Sequence, residues 1–205
     1  MDPAQLIKAR RSIRRFKPMK ISRKTINEIL ELARWAPSAH NAQPWRIVVI
    51  DDGTVKEKLA KTMGEAWLSD MSRDGVPRDR AEGIVKLETW DRITESPLAI
   101  VACLTMEGMH GYPDSRRREA EHTMAVQSVA AFVQNLLLSA HHHGLGACWN
   151  CGPLFCKDAV RKALDLPKEL EPQAMVIMGY PDEKSVSASR KRLAEICKFN
   201  SWKKS

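Results

Sequence analysis

Residues 124–146, MAVQSVAAFVQNLLLSAHHHGLG, form the longest apolar run with helical periodicity in the chain. Val126, Val129, Ala130, Val133, Leu136, Leu137 and Ala140 recur at helical spacing, so a helix is predicted over about 117–143. Phe132 and Leu138 make its remaining faces apolar too, which predicts a helix buried almost all round. Gly144 and Gly146 end it and feed a short segment at 147–149. Gln127 with Gln134, and Ser128 with Asn135, recur seven residues apart. If buried, these groups need partners, either in the core or across a subunit interface. They also make the run too polar for a lipid-facing span of about 20 residues.

Outward from this helix, short β-branched or apolar runs predict strands at Trp45–Ile50, Leu98–Leu104 and 175–178. Asp2 and Pro3 predict a cap and first turn of a short helix ending near Arg10. Thr25 with Glu28, and Thr54 with Glu57, have capping-box spacing and predict two further helix starts. The polar stretch 69–79, with Gly75 and Pro77, reads as a mobile loop before a helix over about 81–92. A modest helix is predicted over about 157–164. Few short strands among many helices make an α+β layered fold. With no internal repeat and no low-complexity linker, residues 1–205 read as a single domain whose tail extends from about 182 to 205.

The chain has 205 residues and a formal charge of +8, with 43% hydrophobic and 28% charged residues. That composition is globular, and the length allows a real core. The basic excess fits nucleic acid, an anionic membrane surface or a phosphate-bearing ligand, and composition does not choose among them. No helix-turn-helix, zinc-finger or RNA-binding signature is present, and aromatics are not interleaved with the basic residues, so nucleic-acid binding is not expected. The first residues carry no apolar stretch of signal-peptide length. With five cysteines, an odd number, this predicts a reducing, cytoplasmic setting and no membrane association.

Four segments could carry chemistry. In the first, Arg10, Arg11, Ser12 and Arg14 place two guanidiniums four apart around a hydroxyl, which suits an anion clamp. On composition alone a solvated basic face or a nucleic-acid arm is the favoured reading, since basic runs commonly bind nothing specific. In the second, Pro37, Ser38, Ala39, His40, Asn41 and Gln43 form a proline-bracketed loop rich in hydrogen-bonding groups, suited to a polar heterocycle or sugar. The third, 144–153, contains Trp149, Asn150, Cys151 and Gly152, with glycines that allow a ligand close to the backbone. Cys148, Cys151 and Cys156 there could be metal ligands or simply buried thiols. The histidines 141–143 sit at a helix C-terminus, where positive charge suits the dipole. The fourth segment, Arg190-Lys191-Arg192, is on its own a short basic tail.

In this order and spacing the four segments resemble the FMN-dependent nitroreductase family, over residues 7–193. Arg10-Arg11-Ser12-x-Arg14-x-Phe16 is similar to the family's N-terminal flavin signature. Ala36-Pro37-Ser38-x-x-Asn41-x-Gln43-Pro44-Trp45 is similar to its second. Gln134-Asn135-Leu136-Leu137-Leu138-x-Ala140 with Gly144-Leu145-Gly146 matches its central helix and exit.

The resemblance implies a central antiparallel-type sheet flanked by helices, with the long helix at a homodimer interface and FMN held between subunits. Arg10, Arg11 and Ser12 would hold the FMN phosphate from one side, and Arg190 and Arg192 from the other. Arg14 would stand at the N1/O2 edge of the ring. Pro37, Ser38, Ala39 and Asn41 would approach from the partner subunit. Trp149, Asn150, Cys151 and Gly152 would cover one face, with a backbone N–H of Cys151 or Gly152 directed at N5. The implied reaction is ping-pong hydride transfer from NAD(P)H through FMN to a small acceptor such as a nitroaromatic or quinone, with no catalytic side chain. An FMN-holding electron-transfer or sensor protein with little NAD(P)H turnover is the alternative.

Overall fold

All seven residues of β2 (Leu98–Leu104) are buried, because both faces of the strand are covered. Leu98, Ile100, Ala102 and Leu104 face one helical layer, while Ala99, Val101 and Cys103 face another. An antiparallel strand with both faces covered reads as a continuous apolar run rather than an alternation. The structure, a computed structural model, describes residues 2–185 and 189–202.

The sheet has the order β1-β2-β4-β3, with β1 (Trp45–Ile50), β3 (Gly146–Asn150) and β4 (Glu171–Gly179). Every pairing is antiparallel: Trp45 to Ile50 face Leu104 to Ala99, and Gly146 to Asn150 face Gly179 to Met175. The β2–β4 register shifts between Ala102 and Cys103. β4 runs well beyond the predicted 175–178 because it is paired on both sides.

One layer holds α2 (Arg23–Ala33) and α6 (Ser115–His142), which bury Ile26, Ile29, Val129, Phe132, Val133 and Leu136. The other holds α3 (Gly53–Arg73) and α7 (Lys157–Leu164), which bury Leu59, Met63, Val160 and Ala163. Short helices α1 (Pro3–Ala9), α4 (Arg78–Val85), α5 (Arg92–Thr94) and α8 (Leu193–Ile196) complete the order, with a π-helical stretch at Lys86–Asp91 running into α5.

Several predicted boundaries move. Ser22, not Thr25, caps α2: its Oγ accepts the Thr25 N–H at 3.0 Å. Asp52, not Thr54, caps α3, accepting from the Val55 N–H at 2.9 Å. Ser22 lies about one turn before Thr25 and Asp52 two residues before Thr54, so both caps are earlier than the capping boxes imply. The predicted loop at 69–79 is mostly helix, since Met71 anchors the end of α3 against Ala81 and Val85. Gly75, at φ +74, makes the turn into α4.

α6 is long and apolar enough to cross a membrane by length and composition, but its inner face packs into the sheet. Nor is it buried all round. Gln127 and Gln134 are exposed, and with the half-buried Met124, Ala131 and Leu138 they make one open stripe at spacings of three and four.

Candidate functional site

The N-terminal signature is positioned by backbone pairing along β3. Ser12 bridges to Ala147 in parallel, and the Ile13 N–H donates to Ala147 O at 3.0 Å. Farther on, Lys17 N–H donates to Tyr180 O and Asp182 N–H to Arg15 O. A Cβ on Gly146 would lie 2.7 Å from Ile13 Cβ, so this glycine admits Ile13. The close approach expected for a ligand is thus taken, at Gly146, by the chain itself, while Gly144 turns the chain out of α6 at φ +76.

This pairing brings the two ends of the chain together. Arg10, Arg11, Ser12 and Arg14 line a cavity of about 290 Å³ with Glu183, Lys184, Ser185 and Arg190. Arg11 is partly committed: its Nη1 donates to Lys8 O at 2.5 Å and Arg10 O at 2.8 Å, closing the end of α1. Arg192 is not among the cavity residues; it stands at the N-terminus of α8, where its Nε donates to Glu195 at 2.8 Å.

Glu183 was not foreseen. Its Oε1 accepts the Arg14 N–H at 2.6 Å and the Arg15 N–H at 3.4 Å, stitching the first signature to the tail. Burial would raise this carboxyl, but the two N–H bonds and the Arg15 charge outweigh it and hold its pKa below the ordinary value. An acidic residue amid a basic segment gives no sequence signal for this partnership.

β3 leads away from that cavity toward a second. From Ala147 beside Ser12 to Asn150 is three residues, about 10 Å of strand. Asn150 and Gly152 line a cavity of about 610 Å³ with apolar walls from Met63, Trp67, Ile93, Phe155 and Met175. Asp70, Arg73 and Asp74 line it too, so the 69–79 stretch flanks this space as helix and turn. Phe155, an exposed aromatic wall of this cavity, was not foreseen. The Gly152 N–H is taken by Asn150 Oδ1 at 2.6 Å, which leaves the Cys151 N–H as the donor of the expected two. Cys151 itself is exposed, and Trp149 Nε1 is a buried donor with no partner among the described residues.

Cys103, Cys148 and Cys156 are shielded. Burial pushes Cys103 and Cys156 up to about 11, and burial also raises Cys148, against the nearby positive charges of which Arg14 acts most strongly. The Cys156 thiol points at Gly152 O at 3.3 Å and that of Cys148 at Trp149 O at 3.8 Å. His141 departs from its expected role at the helix end. Burial, then Arg10 and Arg11, lower its pKa, so its charged form is disfavoured despite the dipole. The basic run 116–118 knits the start of α6: Arg117 pairs with Asp114 and lies over the Tyr112 ring, and Arg118 donates to Pro113 O. Lys203 and Lys204, also part of the unassigned basic excess, lie outside the described residues.

The loop of the second signature stands elsewhere on the chain. Ala39–Asn41 is a tight 3₁₀ turn in which His40 and Asn41 adopt positive φ of 56° and 52°. Ser38 Oγ accepts the Gln43 N–H at 3.1 Å, and the Ala39 N–H reaches Ser128 on α6. Ser128 lies thirteen residues before His141, about 20 Å along the helix axis. Within one chain, Pro37, Ser38, Ala39 and Asn41 therefore do not join the arginine cavity beside His141.

The nitroreductase family model matches residues 7–180. An NADH dehydrogenase of Thermus thermophilus is 30% identical over 211 residues, covering 91% of this chain and 90% of its own. A Desulfovibrio desulfuricans protein assigned as a nitroreductase and solved in complex with FMN has TM-score 0.71 and 28% identity, covering 99% of each chain. The FMN-dependent nitroreductase NfnB of Mycobacterium smegmatis, solved in complex with NADPH, has the same fold at TM-score 0.73 and 21% identity, covering 97% of each chain.

Proposed function

The chain belongs to the nitroreductase family, and from that premise we propose that it is an FMN-dependent oxidoreductase carrying electrons from NAD(P)H to a small oxidised acceptor, a nitroaromatic or quinone. The observation that carries the reading is the pair of unlike cavities at the two ends of β3. One is basic and small; the other is larger, with apolar and aromatic walls. FMN has the same two-part chemistry, a phosphate dianion at one end and a planar ring at the other.

The residues fit that group. Arg10, Ser12 and Arg190 would hold the phosphate, with Arg11 closing the helix end behind them, since guanidiniums offer forked donors to phosphate oxygens. Arg14 is the charge acting most strongly on Cys148, partway along β3, and would place a cation toward the ring. The Cys151 N–H, between Asn150 and Gly152 of the cavity lining, would supply a donor that does not titrate. Trp149, Asn150 and Gly152 would wall the ring, and Met63, Trp67 and Phe155 would exclude water from its face. Bound there, FMN supplies two-electron hydride chemistry, and the chain binds, orients and polarises it.

A homodimer belongs to the same proposal. The loop 37–41 is held about 20 Å along α6 from the arginine cavity, so it serves the partner subunit's site rather than its own. The open stripe of Met124, Gln127, Ala131, Gln134 and Leu138 gives α6 a surface to pair through. We take residues 1–205 as one FMN-binding domain whose tail from about 182 contributes Arg190, working in a reducing cytoplasm that keeps its five free thiols reduced.

Purified protein should be yellow, with a flavin spectrum that bleaches anaerobically on addition of NADH or NADPH. A colourless protein that takes up no added FMN would overturn the proposal. A flavin spectrum unmoved by both nicotinamides would overturn the donor.

A further inference from the structure

We propose that His40, His110 and Glu121 form a site for one divalent transition-metal ion of the zinc class, which clamps two loops onto α6. The three residues come from separate segments: the turn before β1, the loop between β2 and α6, and the second turn of α6. Their candidate ligand atoms all lie within 4.8 Å of one another. His40 Nε2 is 3.3 Å from the Glu121 carboxylate. Zinc takes nitrogen and oxygen ligands at about 2.0–2.2 Å, so neighbouring ligands of a tetrahedral ion stand roughly 3.3 Å apart.

The charge balance points the same way. Glu121 is 3% exposed. Among the described residues it faces no Lys or Arg within ion-pair distance; its contacts are His40 and the His110 backbone N–H, at 3.1 Å. A buried carboxylate needs a cation or several donors. The His40 and His110 rings are stacked, with centroids 3.9 Å apart and planes 24° apart. A single dication would satisfy the carboxylate with both rings as neutral ligands, each ring turning about its side-chain torsions out of the stack to present a nitrogen to the ion. Two imidazoles and one carboxylate are a donor set that zinc accepts, with a fourth position left for water. Both histidines reach the surface, so an ion can enter.

The site is separate from the arginine cavity and from the 610 Å³ cavity, and its occupancy fixes the loop that carries Ala39 and Asn41. The competing metal binder is the run His141-His142-His143.

The test uses the purified holoenzyme, dialysed against EDTA and then titrated with zinc sulfate. Zinc per chain is measured after desalting, and the thermal midpoint before and after. One zinc per chain and a raised midpoint are expected. His110→Ala and His40→Asn should each weaken zinc binding by roughly 100-fold or more, a direct ligand costing at least what a residue behind a ligand does. His142→Ala should leave it unchanged. Glu121 is buried and its variants can fail to fold, so the exposed His110 carries the decision. Cobalt(II) in place of zinc should give ligand-field absorption that His110→Ala abolishes. No stoichiometric zinc in the parent protein, affinity indifferent to His110→Ala, or affinity lost in His142→Ala would each overturn the proposal.

Discussion

The Ala39 N–H donates to Ser128 Oγ at 3.2 Å, while the same hydroxyl donates to Met124 O at 2.7 Å. One buried side chain on α6 thus holds the turn that contains two positive-φ residues outside glycine. Ser128→Ala removes the acceptor and leaves a backbone N–H without a partner. Urea unfolding should show a loss of about 1–2 kcal/mol. Unchanged stability would mean that water replaces the hydroxyl and that the turn does not depend on it.

Arg10→Ala and Arg190→Ala should each weaken FMN binding by about 1.5–3 kcal/mol, the scale of a hydrogen bond to a charged group. Arg192→Ala should be near neutral, because its guanidinium is engaged with Glu195 outside the cavity. Flavin fluorescence titrations separate the two outcomes. A large loss at Arg192 with none at Arg190 would reverse the assignment.

Gly146→Ala drives a methyl group into Ile13, whose Cβ, Cγ1 and Cγ2 lie 2.7–2.9 Å from the added carbon. Overpacking at such a contact costs roughly 1–3 kcal/mol. Because Ile13 follows Ser12, FMN affinity should fall together with stability. Adding Ile13→Gly, which removes all three contacting carbons, should make the combined loss smaller than the sum of the two single losses. A double variant whose losses simply add would show that the clash is relieved elsewhere.

Glu171 sets an acid limit. It binds Lys157 at 2.6 Å and His122 at 3.0 Å, tying α7 and α6 to the start of β4. Burial raises its carboxyl, but these two partners more than offset that and bring it down to about 2 from an ordinary 4.5. A depressed carboxylate contributes its full stability above the unfolded pKa and loses it as pH falls through the folded one. Stability should therefore decline between about pH 4.5 and pH 2. The contribution is of the order of 1–3 kcal/mol, reduced by screening at Lys157 and His122, which are 38% and 43% exposed. Glu171→Gln should flatten that part of the pH–stability curve; an unchanged slope would remove Glu171 as its source.

β1, β2, the middle of β4 and the long helix were legible because each is an apolar run in sequence, whereas β3 read only as a short segment and the open stripe of α6 was not foreseen. β1, β2 and α7 fall at the predicted bounds. The first signature and Arg190 were legible as charge patterns at opposite ends of the chain, and the cavity joins them. Glu183 was not, since its partners lie 168 and 169 positions away and it offers no local pattern. The buried carboxylate of Glu121 was hidden for the same reason. In a sequence it is one more charge near the start of an amphipathic helix, and only the fold sets His40 and His110 against it. Helix starts were misplaced because Ser22 and Asp52 compete with equally good caps three and two residues later.

The bridge between Ser12 and Ala147 has a further consequence. β3 is an outer strand of the sheet, and an unguarded outer strand invites another chain to pair with it. Residues 12–13 occupy that border. The arginines proposed to hold the FMN phosphate and the backbone that shields the sheet from self-association are therefore one segment. Trimming the first seventeen residues should yield a protein that aggregates as well as one that loses its cofactor.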